Sequence, residues 1–107
     1  MFECLEVSLQ FLEELVPLEA RIRRKSASLG KQLSDASESI ALNLGEGRSR
    51  RDGDKRRHYE MATGSASEVT VALRIAVAKR YVTPAEVADV EAVLDRVRAM
   101  LYRLTQR

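Results

Sequence analysis

Side chains suited to covalent or acid–base chemistry are scarce in this sequence of 107 residues. Cys4 and His58 are the single cysteine and histidine, and in principle they could form a thiol–imidazole pair. Cys4 lies on an apolar stripe, however, and spacing identifies no Asn or Asp that would orient the imidazole. Glu46 and Glu68 could act as an acid pair only if folding brought them together. We therefore expect no enzyme and no cofactor, and no metal site because one histidine without nearby cysteines or paired acids lacks a ligand set.

Basic side chains are more numerous and could bind phosphate, since guanidinium forks match phosphate geometry. The formal net charge is only +2, so bulk charge does not by itself indicate a nucleic-acid-binding protein. The charge is segregated, however: residues 1–20 carry five acids and no bases, residues 21–31 five bases and no acids, and residues 48–57 six bases and two acids. The first candidate nucleic-acid-binding zone consists of Arg48, Arg50, Arg51, Lys55, Arg56 and Arg57, and the second basic zone of Arg21, Arg23, Arg24 and Lys25.

The first basic zone has two interpretations that the sequence leaves open. Repeated around an oligomer, it would form a basic band that binds RNA or DNA with steep salt dependence and little sequence specificity. Alternatively, it is a solvated connection whose charges form local ion pairs with Asp52, Asp54 and Glu60. His58 lies beside this zone and is expected to be an ordinary surface or interface histidine.

Helical periodicity dominates the chain, and no long segment alternates with the period of a strand. The first helix is expected over about residues 3–23, with Pro17 kinking or restarting it. The second is expected over about residues 28–45, because Gly45 and Gly47 can end it.

The third helix is expected to begin at a capping aspartate, Asp52 in preference to Asp54, and to run to about Arg80. The fourth has a capping-box signature in Thr83-Pro84-Ala85-Glu86, where a cap residue and a first-turn proline precede the acid. Four helices with short connections predict an all-α fold in which residues 1–107 form a single domain. The expected architecture is an antiparallel up-down-up-down four-helix bundle.

The first and third helices each carry more apolar surface than one core-facing stripe requires. Such surface, exposed in a lone subunit, promotes association, so we expect a homo-oligomer. Small residues from Ala62 to Ser67 would let another helix approach closely, although a tight crossing within one chain explains them equally well. The candidate interface residues are Phe11, Leu15, Val71, Ile75 and Ala78.

The segment Ser39–Gly47 places a polar amide, Asn43, at the next step of an apolar helical stripe that includes Ile40. A buried amide needs hydrogen-bonding partners, so a structural motif is the favoured interpretation and a ligand site the minority one. The candidate motif residues are Ser39, Asn43, Glu46, Gly47, Ser65 and Glu68.

This segment also carries a family resemblance. The residues concerned are Gln32-Leu33, Ala36, Ser39-Ile40, Asn43-Leu44-Gly45-Glu46-Gly47 with Arg50, and Gly64-Ser65 with Glu68. With them the chain resembles the small bacterial four-helix-bundle proteins encoded in ribosomal RNA intervening sequences, which are similar to the accessory variability determinant of diversity-generating retroelements. The resemblance covers about residues 29–105 and departs at Gly45, where the family commonly has Ala, and at Arg57–Met61, where it is richer in Phe.

The resemblance implies a ring-shaped homo-oligomer, specifically a homopentamer, without known catalysis. Its retroelement members further imply nucleic acid and a reverse transcriptase as partners. We accordingly expect a non-catalytic oligomeric scaffold that binds RNA or DNA; the alternative is a protein-interaction scaffold without direct nucleic-acid binding. No apolar run approaches the roughly 18 residues that span a bilayer. The acidic N-terminus lacks a secretory signal, so we expect a cytoplasmic protein with no membrane partner.

Overall fold

The computed structural model describes residues 2–106 and contains four α-helices joined by short connections. The helices are α1 (Glu3–Lys25), α2 (Ala27–Arg48), α3 (Asp52–Ala78) and α4 (Pro84–Thr105). Each helix packs against the next one along the chain, and α1 also packs against α4, which closes an elongated bundle of 42 × 22 × 20 Å. The prediction of an all-α four-helix fold is confirmed. Over the residues that the structure covers, none of these helices is long and apolar enough to cross a membrane.

Pro17 does not restart the first helix, since α1 is one helix from Glu3 to Lys25. A proline inside a helix deprives the carbonyl four residues earlier, here that of Glu13, of its N–H donor. Both Pro17 and Glu13 are exposed, so water can satisfy that carbonyl. The proline is therefore tolerated on the solvent side of α1.

The expectation that Gly45 and Gly47 end the second helix is wrong. Helix α2 continues through both to Arg48, and no glycine has a positive φ. Gly47 instead has a packing role, because a β-carbon added there would lie 2.6 Å from Cε1 of Tyr59. The glycine lets the buried Tyr59 ring of α3 lie directly against the backbone of α2.

The expected aspartate cap of the third helix is also wrong. Arg51 occupies the N-cap position, and no side-chain hydrogen bond caps α3. Asp52 and Asp54 both lie in the first turn, where their negative charge interacts favourably with the helix dipole. Asp52 adopts a positive φ of 52°, a conformation that short polar side chains tolerate better than most.

Helix α3 ends at Ala78, two residues before the predicted position. The end is built as a Schellman motif: the N–H of Tyr81 donates to the carbonyl of Ala76 at 2.9 Å, and that of Arg80 to Val77 at 3.0 Å. This motif requires a left-handed residue, and Arg80 supplies it with a φ of 62°. Glycine is the usual residue there because it has no β-carbon to clash.

Replacement of Arg80 by glycine is expected to raise the free energy of unfolding by about 1 kcal/mol, because the left-handed conformation costs a residue with a β-carbon about that much. The same change at Lys79, whose φ is −84°, relieves no strain and should not stabilise the fold. Urea unfolding followed by circular dichroism measures both. Equal effects of the two glycines would contradict this explanation.

The predicted start of the fourth helix is confirmed. Oγ1 of Thr83 accepts a hydrogen bond from the Glu86 N–H at 3.2 Å, and the Thr83 N–H donates to Oε1 of Glu86 at 2.8 Å. This reciprocal capping box, with Pro84 in the first turn, fixes where the chain turns into α4.

Two of the five predicted interface residues are core residues. Phe11 and Leu15 are each 1% exposed, so they cannot contact another copy. Helix α1 has two apolar stripes, and the one with Phe11 and Leu15 faces inward, while Leu9 and Val16 of the other are exposed. On α3 the three predicted interface residues are accessible: Val71 is 55% and Ile75 41% exposed, and Ala78 is also exposed. Their role in an interface stays a prediction.

Candidate functional site

The antiparallel order of the helices places the two basic zones at opposite ends of the bundle. We call one the Arg51 end; it consists of residues 2–8, 44–60 and 99–106. The other, the Arg24 end, consists of residues 19–31 and 74–91, where α1 turns into α2 and α3 turns into α4. Each end therefore combines segments that are distant in sequence.

At the Arg51 end, acids neutralise half of the first basic zone. Arg50 pairs with Glu46 at 3.5 Å and with Asp54 at 3.6 Å. Arg57 lies 2.9 Å from the Asp54 carboxylate, and its hydrogen bond lowers the pKa of that carboxyl, which thus stays ionised between two arginines. The remaining pair of this zone joins Arg56 to Glu60 at 3.2 Å.

The other half of the first zone differs in its contacts. Arg48 lies over the ring of Phe2, 5.6 Å from its centroid. Arg51 and Lys55 form no ion pair within the described chain. The local-ion-pair interpretation thus holds for three of the six bases, Arg50, Arg56 and Arg57. Their acids are Asp54 and Glu60, as expected, and also Glu46, whereas Asp52 forms no ion pair with them.

At the Arg24 end, Arg21 pairs with Glu86 across α1 and α4, and Arg23 pairs with Glu19 at 3.4 Å. Arg24 and Lys25, the other members of the second basic zone, are exposed and make no ion pair with a described acid.

The fold adds three bases to this end that the sequence interpretation missed: Arg74, Lys79 and Arg80. Arg74 shares a surface groove with Pro84 and Glu91, and Lys79 lies 6.0 Å from the centroid of the Tyr81 ring. The sequence did indicate where two of these bases lie, because the α4 cap at Thr83 places the preceding Lys79-Arg80 pair in the α3–α4 turn. In an up-down bundle that turn lies at the same end as the α1–α2 turn.

Of the two ends, the Arg24 end has the larger positive net charge. It carries eight bases and four acids, a net charge of +4. The Arg51 end carries seven bases and six acids, a net charge of +1. Of the described residues, those between the ends carry two bases, Arg96 and Arg98, and six acids. The zone with the longer basic run in the sequence is therefore the less basic end of the folded protein.

The predicted structural motif joins α2 to α3. The hydroxyl of Ser65 donates to Oγ of Ser39 at 2.9 Å, and Nδ2 of Asn43 donates to the carbonyl and Oγ of Ser39 at 3.0 and 3.1 Å. Since the Asn43 amide nitrogen is a donor, its Oδ1 must accept from Nδ1 of His58, 3.0 Å away. His58 thus carries its proton on Nδ1, and Nε2 faces Nη2 of Arg57 at 3.4 Å. These four side chains cross-link α2 and α3. The hydrogen bonds of Asn43 therefore agree with a structural role for this residue.

The two glutamates of the motif lie apart. Glu46 contacts Arg50 near the end of α2. Glu68 is exposed on α3 beyond Ser65, which faces Ser39. At a rise of 1.5 Å per residue, Glu46 and Glu68 are separated by about 15 Å along the bundle. They cannot act as an acid pair within one chain.

The hypothetical thiol–imidazole pair also lacks the required chemistry. Burial raises the pKa of the Cys4 thiol to about 11, so it is protonated and a poor nucleophile near neutrality. The His58 ring is committed to Asn43. Within residues 2–106, no three His, Cys, Asp or Glu side chains are grouped as metal ligands.

Comparison with known proteins identifies the family. A family model described as 23S rRNA-intervening sequence protein matches residues 2–103. The chain belongs to this family. A solved structure from Bacteroides thetaiotaomicron, described as a protein of unknown function from the S23 ribosomal protein family, superimposes with a TM-score of 0.89. Sequence identity is 19%, and the match covers 97% of this chain and 99% of the other, so it supports the fold of this intervening-sequence protein. No curated protein matches the chain.

Proposed function

We propose that this intervening-sequence protein is a non-catalytic oligomeric scaffold that binds RNA or DNA through the Arg24 end. The observation that carries the proposal is the net charge of +4 at that end, drawn from both helix connections. Five of its bases make no ion pair with a described acid and are available to phosphates. They are Arg24, Lys25, Arg74, Lys79 and Arg80.

Binding of this kind follows from electrostatics. Each phosphate neutralised by a basic side chain releases counterions, so affinity falls steeply as salt rises and depends little on sequence. One chain offers few such contacts and binds weakly. An oligomer that presents several Arg24 ends together binds more tightly, because the second contact is made at high effective concentration. A ring of subunits, five in number by the family resemblance, is the arrangement we propose.

The proposal is tested by fluorescence anisotropy with mixed-sequence RNA and DNA oligonucleotides over a salt series. The test variant replaces three unpaired bases of the Arg24 end: Arg24→Gln, Lys25→Gln and Arg80→Gly. It is expected to weaken binding on the order of tenfold at low salt and to flatten the salt dependence, because phosphate contacts are lost. A loss of affinity is not expected to come from unfolding of this variant, since Arg80→Gly relieves backbone strain at a left-handed residue.

A matched control removes the same charge from the Arg51 end by replacing its ion-paired arginines Arg50, Arg56 and Arg57 with glutamine. This variant should lose less affinity, because those side chains already face carboxylates. If the wild-type protein binds no RNA or DNA at low salt, nucleic-acid binding is excluded. If the two variants lose affinity equally, the assignment to the Arg24 end is wrong.

A protein-interaction scaffold is the second candidate function. An apolar groove between α1 and α2, lined by Leu5, Leu9 and Leu42 and by Glu46, favours it. A reverse transcriptase is the partner that the family resemblance suggests. Co-purification of a tagged chain with a reverse transcriptase encoded nearby, insensitive to nuclease, would support this alternative over direct nucleic-acid binding.

A further inference from the structure

Apolar side chains line an open groove between α1 and α2. We call it the acidic groove; it is lined by Leu5, Leu9, Ala41, Leu42, Gly45 and Glu46. Leu9 is 39% and Leu42 69% exposed. Val16, which is 64% exposed, lies two helical turns after Leu9 and continues this line on α1. From Leu5 to Val16 the apolar line covers about 16 Å, so about three turns of another helix can lie along it.

Carboxylates lie one helical turn to either side of both exposed leucines of the acidic groove. The four acids, all exposed, are Glu6 and Glu13 beside Leu9 on α1 and Glu38 and Glu46 beside Leu42 on α2. Glu46 pairs with Arg50. The other three acids form no ion pair with a described base. The apolar floor therefore has a rim of carboxylates without a cation.

The two walls of the acidic groove contain no basic side chain. Residues 1–20, which include the α1 wall, carry five acids and no bases, and residues 32–47, which include the α2 wall, carry three acids and no bases. The whole chain has a formal net charge of +2, so this negative face belongs to a weakly basic protein. RNA and DNA are repelled from it, and a positively charged occupant is attracted.

The exposed apolar line of α3 does not match this charge. It contains Val71 and Ile75, but Glu68 lies one helical turn before Val71 on the same line. Arg57, near the start of α3, is already paired with Asp54 at 2.9 Å. A second copy docked through this line would place a carboxylate against the acids of the groove, which disfavours that contact. The chemistry of the acidic groove therefore indicates a different protein as its occupant.

We propose that the acidic groove binds an amphipathic helix of a partner protein, one with an apolar stripe flanked by lysine or arginine side chains. The stripe covers Leu9 and Leu42, and the basic flanks meet the carboxylates of the rim. The small residues Ala41 and Gly45 let the helix approach α2 closely, because Gly45 has nothing within 4 Å of its β-position. This site goes beyond the proposed nucleic-acid binding and does not depend on it, since the acidic groove and the Arg24 end share no residue.

The probe for this site is a fluorescein-labelled model peptide of leucine and lysine, about four helical turns long, with the leucines on one helical face. A peptide with glutamate in place of every lysine is its matched counterpart. Fluorescence anisotropy in about 0.15 M salt measures both. The wild-type protein is expected to bind the lysine peptide, and to bind the glutamate peptide more weakly by on the order of tenfold or more, because like charges repel across the rim.

Charge reversal of the rim tests the electrostatic part of the proposal. The test variant carries Glu6→Lys, Glu13→Lys and Glu38→Lys. It is expected to prefer the glutamate peptide, because the sign of the rim is reversed. The matched control makes the same change in net charge at exposed, unpaired acids of α3 and α4, with Glu68→Lys, Asp89→Lys and Asp95→Lys. The control should keep the wild-type preference for the lysine peptide.

Leu42→Gln tests the apolar part and should weaken binding of the lysine peptide by on the order of tenfold, because apolar contact is lost without a change in charge. Val71→Gln, on the exposed face of α3, is its control and should bind as the wild type does. Circular dichroism establishes that each variant is folded. Failure of the wild type to bind the lysine peptide, equal preferences of the two charge variants, or unchanged binding by Leu42→Gln would each overturn the proposal. If the wild type binds no peptide and Leu42→Gln releases subunits in native mass spectrometry, a second copy occupies the groove and the proposal is wrong.

Discussion

Replacement of Phe11 by alanine is expected to lower the free energy of unfolding by about 3–5 kcal/mol, the usual cost of removing a buried aromatic side chain. Phe11 is 1% exposed and belongs to the core that all four helices share. The change removes apolar burial and leaves a cavity that neighbouring helices fill only in part. Urea unfolding followed by circular dichroism measures the loss.

Val16→Ala, on the outward stripe of the same helix, is the control for this prediction. An exposed side chain loses little burial, so a change of less than about 0.5 kcal/mol is expected. Both substitutions are measured at the same protein concentration, because any self-association would add to apparent stability in a concentration-dependent way. A loss at Val16 as large as that at Phe11 would show that the two stripes of α1 had been assigned the wrong way round.

Gly47→Ala is expected to destabilise the fold by about 1–3 kcal/mol through overpacking. The added β-carbon would lie 2.6 and 2.9 Å from two ring carbons of Tyr59. The ring cannot easily yield, since it is buried and contacts Phe2 with ring centroids 6.0 Å apart. Thermal unfolding measures the loss.

Replacement of Gly45 by alanine, two residues earlier, should change the stability of the fold in the opposite direction. Gly45 has open space around its β-position, and alanine in a helix interior is favoured over glycine by about 0.5–1 kcal/mol. Gly45→Ala is therefore expected to stabilise the fold. Melting temperatures that shift in the same direction for both variants would reject the assigned role of Gly47.

The fold was largely predictable because local signals agree with the tertiary structure. The Thr83–Glu86 capping box depends on neighbours in sequence alone, and it forms as predicted. The differences concern residues whose local preference is overridden by their surroundings in the fold. Pro17 stays within α1 on a solvated face, and Gly47 makes a packing contact with Tyr59 and does not end the helix.

The candidate site was predictable only in part. The sequence indicates both basic zones, but not which charges are neutralised, because that depends on side chains one helical turn away. Asp54, for example, binds Arg50 and Arg57 together. Arg80 joins Arg24 only when the α4 cap is combined with the up-down order of the helices, because this order places the α1–α2 and α3–α4 connections at one end. Phe11 was misassigned because two adjacent apolar stripes on α1 do not reveal which one faces the core.

The hydrogen bonds from Ser65 through Ser39 and Asn43 to His58 fix the register of α2 and α3. Sliding one helix past the other by a full turn, about 5.4 Å, would break the Ser65–Ser39 and Asn43–His58 contacts together. Shear between α2 and α3 therefore costs hydrogen bonds in this protein. Movement of α1 or α4 against these two helices breaks neither contact.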